Sequence, residues 1–372
     1  MILRTRMALA MLACAALAAC ETPRGAGFRS EVLAATVDAT ADTPAQYDFV
    51  VEPVTRSSLP VVQRWPRTGG RSYNWLKRNA QPATSTIAAG DVLSITIWDA
   101  EENSLLTAPG QRVAQLQDIK VSADGRVFLP FVGKLKVSGL SPDAARARVE
   151  ARLTDTVPSA QVQLSVAQGR ANTANLVAGV GAPGVYPLPD RDYSLLALLS
   201  QGGGVIPSLN NPQVRLMRGG KIYGKSVARL YENPAFDTRL RGGDRVIVEA
   251  DDRYFLSLGA TGSEARHLFP QDHVTALDAL AVIGGVSDTR ANPQGVLILR
   301  TYPQSALRGD RSGPRMDRVV FTLDLTSADG LFSAGIFHIM PGDLVYATES
   351  PVNAASTVLG LLGTVLGVAG AL

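Results

Sequence analysis

The chain has 372 residues, 46% hydrophobic and 19% charged, with a formal net charge of +3. That length allows two or three domains with sizeable cores. The small charge is carried by scattered arginines and argues against nucleic-acid binding, and two cysteines leave no basis for a disulfide framework.

Arg4 and Arg6 precede an apolar run over residues 7–19. The run has the length of a signal-peptide core and is too short to span a bilayer as a helix. It ends Leu17-Ala18-Ala19-Cys20, which resembles the lipobox of bacterial lipoproteins and makes Cys20 the expected lipidated residue. Cys14 falls inside the segment that would be removed. An ordinary secretory signal with an incidental cysteine is the alternative. Glu21 follows the lipobox. By the lipoprotein rule an Asp there would favour inner-membrane retention, so Glu is compatible with the outer membrane.

Residues 20–86 read as an extended leader, rich in Pro, Thr, Ser and Ala, with one candidate strand at 47–54. Residues 92–98 alternate as a strand after Gly90-Asp91. Residues 119–123 and 126–131 flank Asp124-Gly125, a pair suited to the positive φ of a hairpin turn. A short strand is expected at 134–137. Ser141 is an expected N-cap with Pro142 at the first helical position. The helix over 144–153 has Ala145, Val149 and Leu153 on one face, and residues 161–166 return as a strand. Residues 87–170 are therefore a small α+β domain.

An internal repeat follows, over 171–252 and 253–349. Each copy reads strand, glycine-rich turn, short helix, glycine stop, strand, and a Gly-Asp turn into a final strand. In the first copy these are 176–180, 194–200, 202–204, 214–218 and Gly243-Asp244. In the second they are 254–258, 275–283, 284–285, 295–300 and Gly342-Asp343. Gly202–Gly204 follows a helix rather than a strand, so it is a helix stop and not a dinucleotide loop. Asp91, Asp244 and Asp343 each precede a strand and are expected as turn residues bonding their own backbone. His267, His273 and His338 lack metal-ligand spacing, and no Gly-x-Ser-x-Gly elbow occurs. The arginines of 239–245 and 308–318 suit either acidic sugars or solvent. No enzyme activity, metal or cofactor is expected.

Residues 350–372 carry no charge. As a helix, one stripe holds Asn353, Thr357, Gly360, Thr364, Gly367 and Ala371, while Val358, Leu359, Leu362, Val365, Leu366 and Ala369 fall opposite. The apolar side suits lipid. The small stripe suits a neighbouring helix or a narrow watery lumen. An ordinary packing helix is the alternative.

Through Ala89-Gly90-Asp91-Val92-Leu93-Ser94-Ile95 and the run from Val121 to Gly133, the first domain resembles the polysaccharide-export domain of the outer-membrane capsule and exopolysaccharide export lipoproteins. The repeats resemble the soluble-ligand-binding β-grasp (SLBB) units of that family. The resemblance implies an α+β, multidomain chain: signal peptide 1–19, leader 20–86, export domain 87–170, β-grasp repeats 171–252 and 253–349, and a C-terminal transmembrane helix over 350–372. It implies a homo-oligomeric ring, often an octamer, that passes polysaccharide from periplasm to cell surface, lipid-anchored in the outer membrane. Its implied partner is an inner-membrane co-polymerase, often coupled to a tyrosine kinase. The alternative function is a periplasmic lipoprotein that binds sugar or a cell-wall polymer through the repeats without forming a pore.

Overall fold

The computed structural model describes residues 25–34, 49–76, 86–99 and 112–352. Cys20 and the stripe from Asn353 to Ala371 lie outside the described residues, and with them the lipidation site and the tail helix. Among the described residues no helix is long and apolar enough to cross a membrane. The chain divides into two compact units: residues 72–251, and residues up to 71 together with those from 252 onward.

The N-terminal segment supplies helix α1 (Arg29–Val32), strand β1 (Val50–Pro53) and helix α2 (Leu59–Val62). It does more than tether. β1 pairs in parallel with a strand of the C-terminal repeat (Val50 with Val319, Pro53 with Thr322). Two turns later Trp65 is buried, its ring 5.9 Å from both Tyr302 and Phe321, and its indole N–H donates to Arg311 O at 3.0 Å.

Residues 86–167 build the first α+β layer. The elements are β2 (Val92–Trp98), β3 (Val113–Lys120), β4 (Arg126–Leu129), β5 (Gly133–Lys136), helix α3 (Pro142–Leu153) and β6 (Gln161–Ala167). β2 is central, with β3 and β6 antiparallel on its flanks. Leu93, Ile95 and Ile97 alternate inward from β2 and meet Ala145, Val149 and Leu153 of α3. That helix starts as its sequence dictates: Ser141 Oγ accepts from Ala144 N at 3.1 Å, and Pro142 occupies the first turn. The hairpin differs from expectation. β4 pairs with β5, not with the strand before it. β3 begins earlier, at Val113, and is taken by the edge of β2, so β4 finds its ladder on the other side. Asp124-Gly125 still turns the chain, with Gly125 at φ 77° and Ser122 N donating to Arg126 O at 2.9 Å.

The remainder is one topology written twice. The first copy has β7 (Thr173–Ala178), β8 (Gly184–Pro187), α4 (Leu195–Gln201), β9 (Gln213–Arg218), β10 (Lys221–Ser226), α5 (Val227–Glu232) and β11 (Arg245–Glu249). The second has β12 (Tyr254–Gly259), β13 (Ala265–Leu268), α6 (Ala276–Val282), β14 (Ala291–Thr301), β15 (Arg318–Leu323), α7 (Ala328–Ile336) and β16 (Leu344–Glu349). The sheets run β10-β9-β11-β7-β8 and β1-β15-β14-β16-β12-β13, so β1 is the one addition to the second. Within each copy a single parallel pair, β11 with β7 and β16 with β12, lies among antiparallel ones, and the added β1 brings a second parallel pair to the second sheet.

Helix starts repeat too. Ser194, Ser226, Thr275 and Ser327 each accept a backbone N–H three residues on, which satisfies one of the donors a helix start leaves open. Gly203, Gly204, Gly284 and Gly285 stand just past α4 and α6 with φ between 75° and 82°. They stop the helices by adopting a conformation that costs other residues free energy.

Candidate functional site

The three Gly-Asp turns share one construction. Gly90, Gly243 and Gly342 have φ of 91°, 87° and 88°, which glycine adopts without strain. Each following aspartate donates its own N–H to the carbonyl three residues back and accepts that residue's N–H on its carboxylate. The acceptances are from Ala88 at 2.8 Å, from Arg241 at 2.8 Å and from Met340 at 2.7 Å. All three aspartates are at most 1% exposed.

Their remaining partners differ. Asp244 takes a two-pronged contact from Arg218, Nε at 2.8 Å and Nη2 at 2.5 Å. Asp343 takes the same from Arg300, at 2.9 and 2.8 Å. Each arginine also donates to a carbonyl across the fold, Arg239 O at 2.7 Å and His338 O at 2.8 Å. Arg218 and Arg300 occupy equivalent register positions beside Asp244 and Asp343. Burial pulls the Arg300 pKa down, but the Asp343 carboxylate outweighs it and leaves the guanidinium more firmly charged than usual. Asp91 is held by other groups. Gly169 N donates to its Oδ1 at 2.7 Å and Asn172 Nδ2 to its Oδ2 at 3.1 Å.

These are fully engaged structural carboxylates rather than acids or bases held ready for substrate. The histidines give no more. His267 Nε2 lies 2.7 Å from Ser257 Oγ, a spacing that suits a nucleophile and its base. Ser257, however, is fully buried and donates its proton to Ser263 O at 2.5 Å. His273 and His338 stand with ring centroids 5.6 Å apart. Burial first, then His273, Arg67 and Arg300, hold His338 below its ordinary value, with Asp278 pulling the other way. Among the described residues no group of three or more His, Cys, Asp or Glu could hold a metal.

The arginine clusters are partly spent on the fold. Arg239 pairs with Asp192, and Arg308 donates to Ser305 O at 2.8 Å. What faces solvent is apolar or aromatic in places. Phe128 and Phe131, on the β4–β5 hairpin, are 68% and 54% exposed, and Phe131 sits at φ 63° in the tight turn. On α7, Phe332 and Ile336 lie one helical turn apart on its exposed side. Two cavities accompany these surfaces. One, of about 290 Å³, lies against Trp65, Arg67, Tyr302 and His338. The other, of about 390 Å³, lies between β2 and the start of the first repeat.

Residues 79–167 match the family described as polysaccharide biosynthesis/export protein. The chain is 28% identical over 284 residues to the capsule polysaccharide export protein BexD of Haemophilus influenzae, covering 72% of each chain. It is 26% identical over 348 residues to the Vi polysaccharide export protein VexA/TviF of Salmonella typhi, covering 91% of each. It is 29% identical over 297 residues to the EPS I polysaccharide export outer membrane protein EpsA of Ralstonia nicotianae, covering 74% of each. Residues 79–167 thus resemble a polysaccharide biosynthesis/export domain, in a chain similar over most of its length to proteins named for capsule and exopolysaccharide export.

Proposed function

We propose that the protein is the outer-membrane subunit through which a capsular or exopolysaccharide leaves the periplasm. The observation that carries this reading is the similarity to export proteins over 72–91% of the chain, joined to Gly-Asp turns whose buried carboxylates are bonded within the fold. A conduit needs no catalysis. It needs walls that offer replaceable contacts, because tight binding would arrest a moving polymer.

In this reading the two copies of the repeated topology are β-grasp modules, and several chains form a ring. Lipid on Cys20 holds each copy to the outer membrane. Residues 352–372 form a helix about 30 Å long at roughly 1.5 Å per residue, which matches a hydrocarbon core of about 30 Å. The stripe of Asn353, Thr357, Gly360, Thr364, Gly367 and Ala371 turns toward the shared axis, where small residues let helices approach closely. An inner-membrane co-polymerase delivers the polymer.

The test is the mass of the detergent-extracted protein with and without residues 351–372. A large homo-oligomer for the full chain, weakened or lost on truncation, supports the conduit. A monomer in both cases overturns it and favours a sugar-binding periplasmic lipoprotein.

A further inference from the structure

The cavity of about 290 Å³ beside the second repeat is walled by Gln63, Trp65, Arg67, Tyr302, His338 and Met340, among others. Its size lies at the lower end of the range for small-molecule sites, roughly 300–1,000 Å³. Two pinned segments build it. In the first, Trp65 is anchored in the core and Thr68 Oγ1 donates to Thr301 O at 3.1 Å. Gly69 packs so closely that a Cβ there would stand 2.1 Å from Pro341 O. Arg67 is therefore carried between fixed neighbours. In the second, Phe337 O accepts from Ala276 N and Ile339 N donates to Val274 O, each at 2.8 Å, with His338 between them.

Three polar groups of this wall reach solvent: Gln63 and Arg67 are exposed, and His338 is half-buried. Arg67 makes no hydrogen bond or ion pair among the described residues, and neither ring nitrogen of His338 has a partner there. Arg300, in the same wall, is consumed by Asp343. The local field is positive. Burial first, then His273, Arg67 and Arg300, disfavour the charged form of His338, and Asp278 favours it. The ring centroid of His273 is 5.6 Å from that of His338. The loop tied to Trp65 through Arg311 O carries Arg308, Arg311 and Arg315 against Asp310 and Asp317. An anion entering the cleft meets cations whose charge the fold leaves unmatched.

We infer that this cleft is a subsite for one anionic sugar unit, whose carboxylate or phosphate meets the Arg67 guanidinium and a ring N–H of His338. The guanidinium fork suits either group. Pro66 and Met340, both part-exposed in the same wall, offer apolar surface to the sugar's C–H groups. A neutral sugar brings no charge to Arg67 and binds more weakly. This deepens the export reading, on which it rests for the source of the sugar, by naming a class of polymer: one that bears acidic units.

The test is saturation-transfer NMR at low ionic strength on the full-length protein in detergent, with glucuronate, glucose 6-phosphate, glucose and acetate as probes. At least one of the two anionic sugars is expected to bind with a Kd on the order of millimolar. Glucose and acetate should each bind at least about fivefold more weakly. Arg67→Gln removes the charge at an exposed, unpartnered position, and should weaken the anionic sugar about fivefold or more, the effect of one lost charged hydrogen bond. Glucuronate stays ionised near neutral pH, so its binding should tighten between about pH 7.5 and 5.5 as His338 gains a proton, and His338→Gln should shrink that gain. Absence of saturable binding by both anionic sugars overturns the subsite. So does equal binding of glucose or of acetate, unchanged binding in Arg67→Gln, or an undiminished pH gain in His338→Gln. Should Arg67→Gln lower the thermal midpoint, Arg67→Lys is the second variant: it keeps the charge, and loss of binding there overturns the subsite too. Export in cells is scored separately. No binding by a protein that cells need for surface polysaccharide sinks this inference alone, whereas binding by a protein that cells do not need sinks the export reading alone.

Discussion

At the residue scale the buried Arg300–Asp343 pair decides the stability of the second repeat. The two side chains are 4% and 1% exposed, so removing either leaves the other charged in a site closed to water. Breaking such a pair typically costs about 3–5 kcal/mol. Asp343→Ala also orphans the Met340 N–H, so it should be the worst single change, at or above the upper end of that range in denaturant unfolding. Arg300→Met with Asp343→Asn keeps an acceptor for Met340 and removes both charges. It should recover a measurable part of the loss, and a double variant as unstable as the sum of its singles would contradict the account. His338 supplies a pH dependence. Its folded pKa is held below the ordinary 6.5, so the unfolded chain binds more protons as pH falls through 6.5, and the stability this group contributes is present above that pH and lost below it. Unfolding midpoints measured from pH 7.5 to 5 should therefore decline, and His338→Gln should flatten the decline. An identical slope in the variant would assign it to other groups.

At the element scale the sequence was most readable where local chemistry acts alone. Ser141-Pro142 starts a helix, Gly202–Gly204 stops one, and Gly-Asp precedes three strands, each by a rule spanning a few residues. The arginines that complete two of those turns were not readable. Arg218 and Arg300 close their expected strands, yet their partners lie 26 and 43 residues further on, and strand alternation says nothing about contacts at that range. Their one sequence signal is that both occupy the same place in the repeat. β1 was harder still. A four-residue strand shows little periodicity, and its partner β15 is distant in the chain. Trp65 anchors that segment, so Trp65→Ala should cost about 3–5 kcal/mol, the usual range for emptying a large aromatic site. Trp65→Phe should cost less, losing chiefly the hydrogen bond to Arg311 O. Equal losses in chemical denaturation would mean that the indole packing contributes little.

At the scale of the whole molecule, the α+β character and the export domain followed from pattern and resemblance, while the cavity at Gln168 had no sequence signal at all. Gln168 is one polar residue after an alternating strand, and only the folded chain closes its side-chain oxygen from solvent. The central claim concerns the direction of a polymer across an envelope, and cells measure it most directly. Surface polysaccharide should be quantified in cells lacking the chain, beside the polysaccharide retained within the envelope, and again after the full-length chain is restored. The account predicts that surface polymer falls to background, retained polymer accumulates, and restoration reverses both. Surface polysaccharide at the normal level without the chain would contradict it.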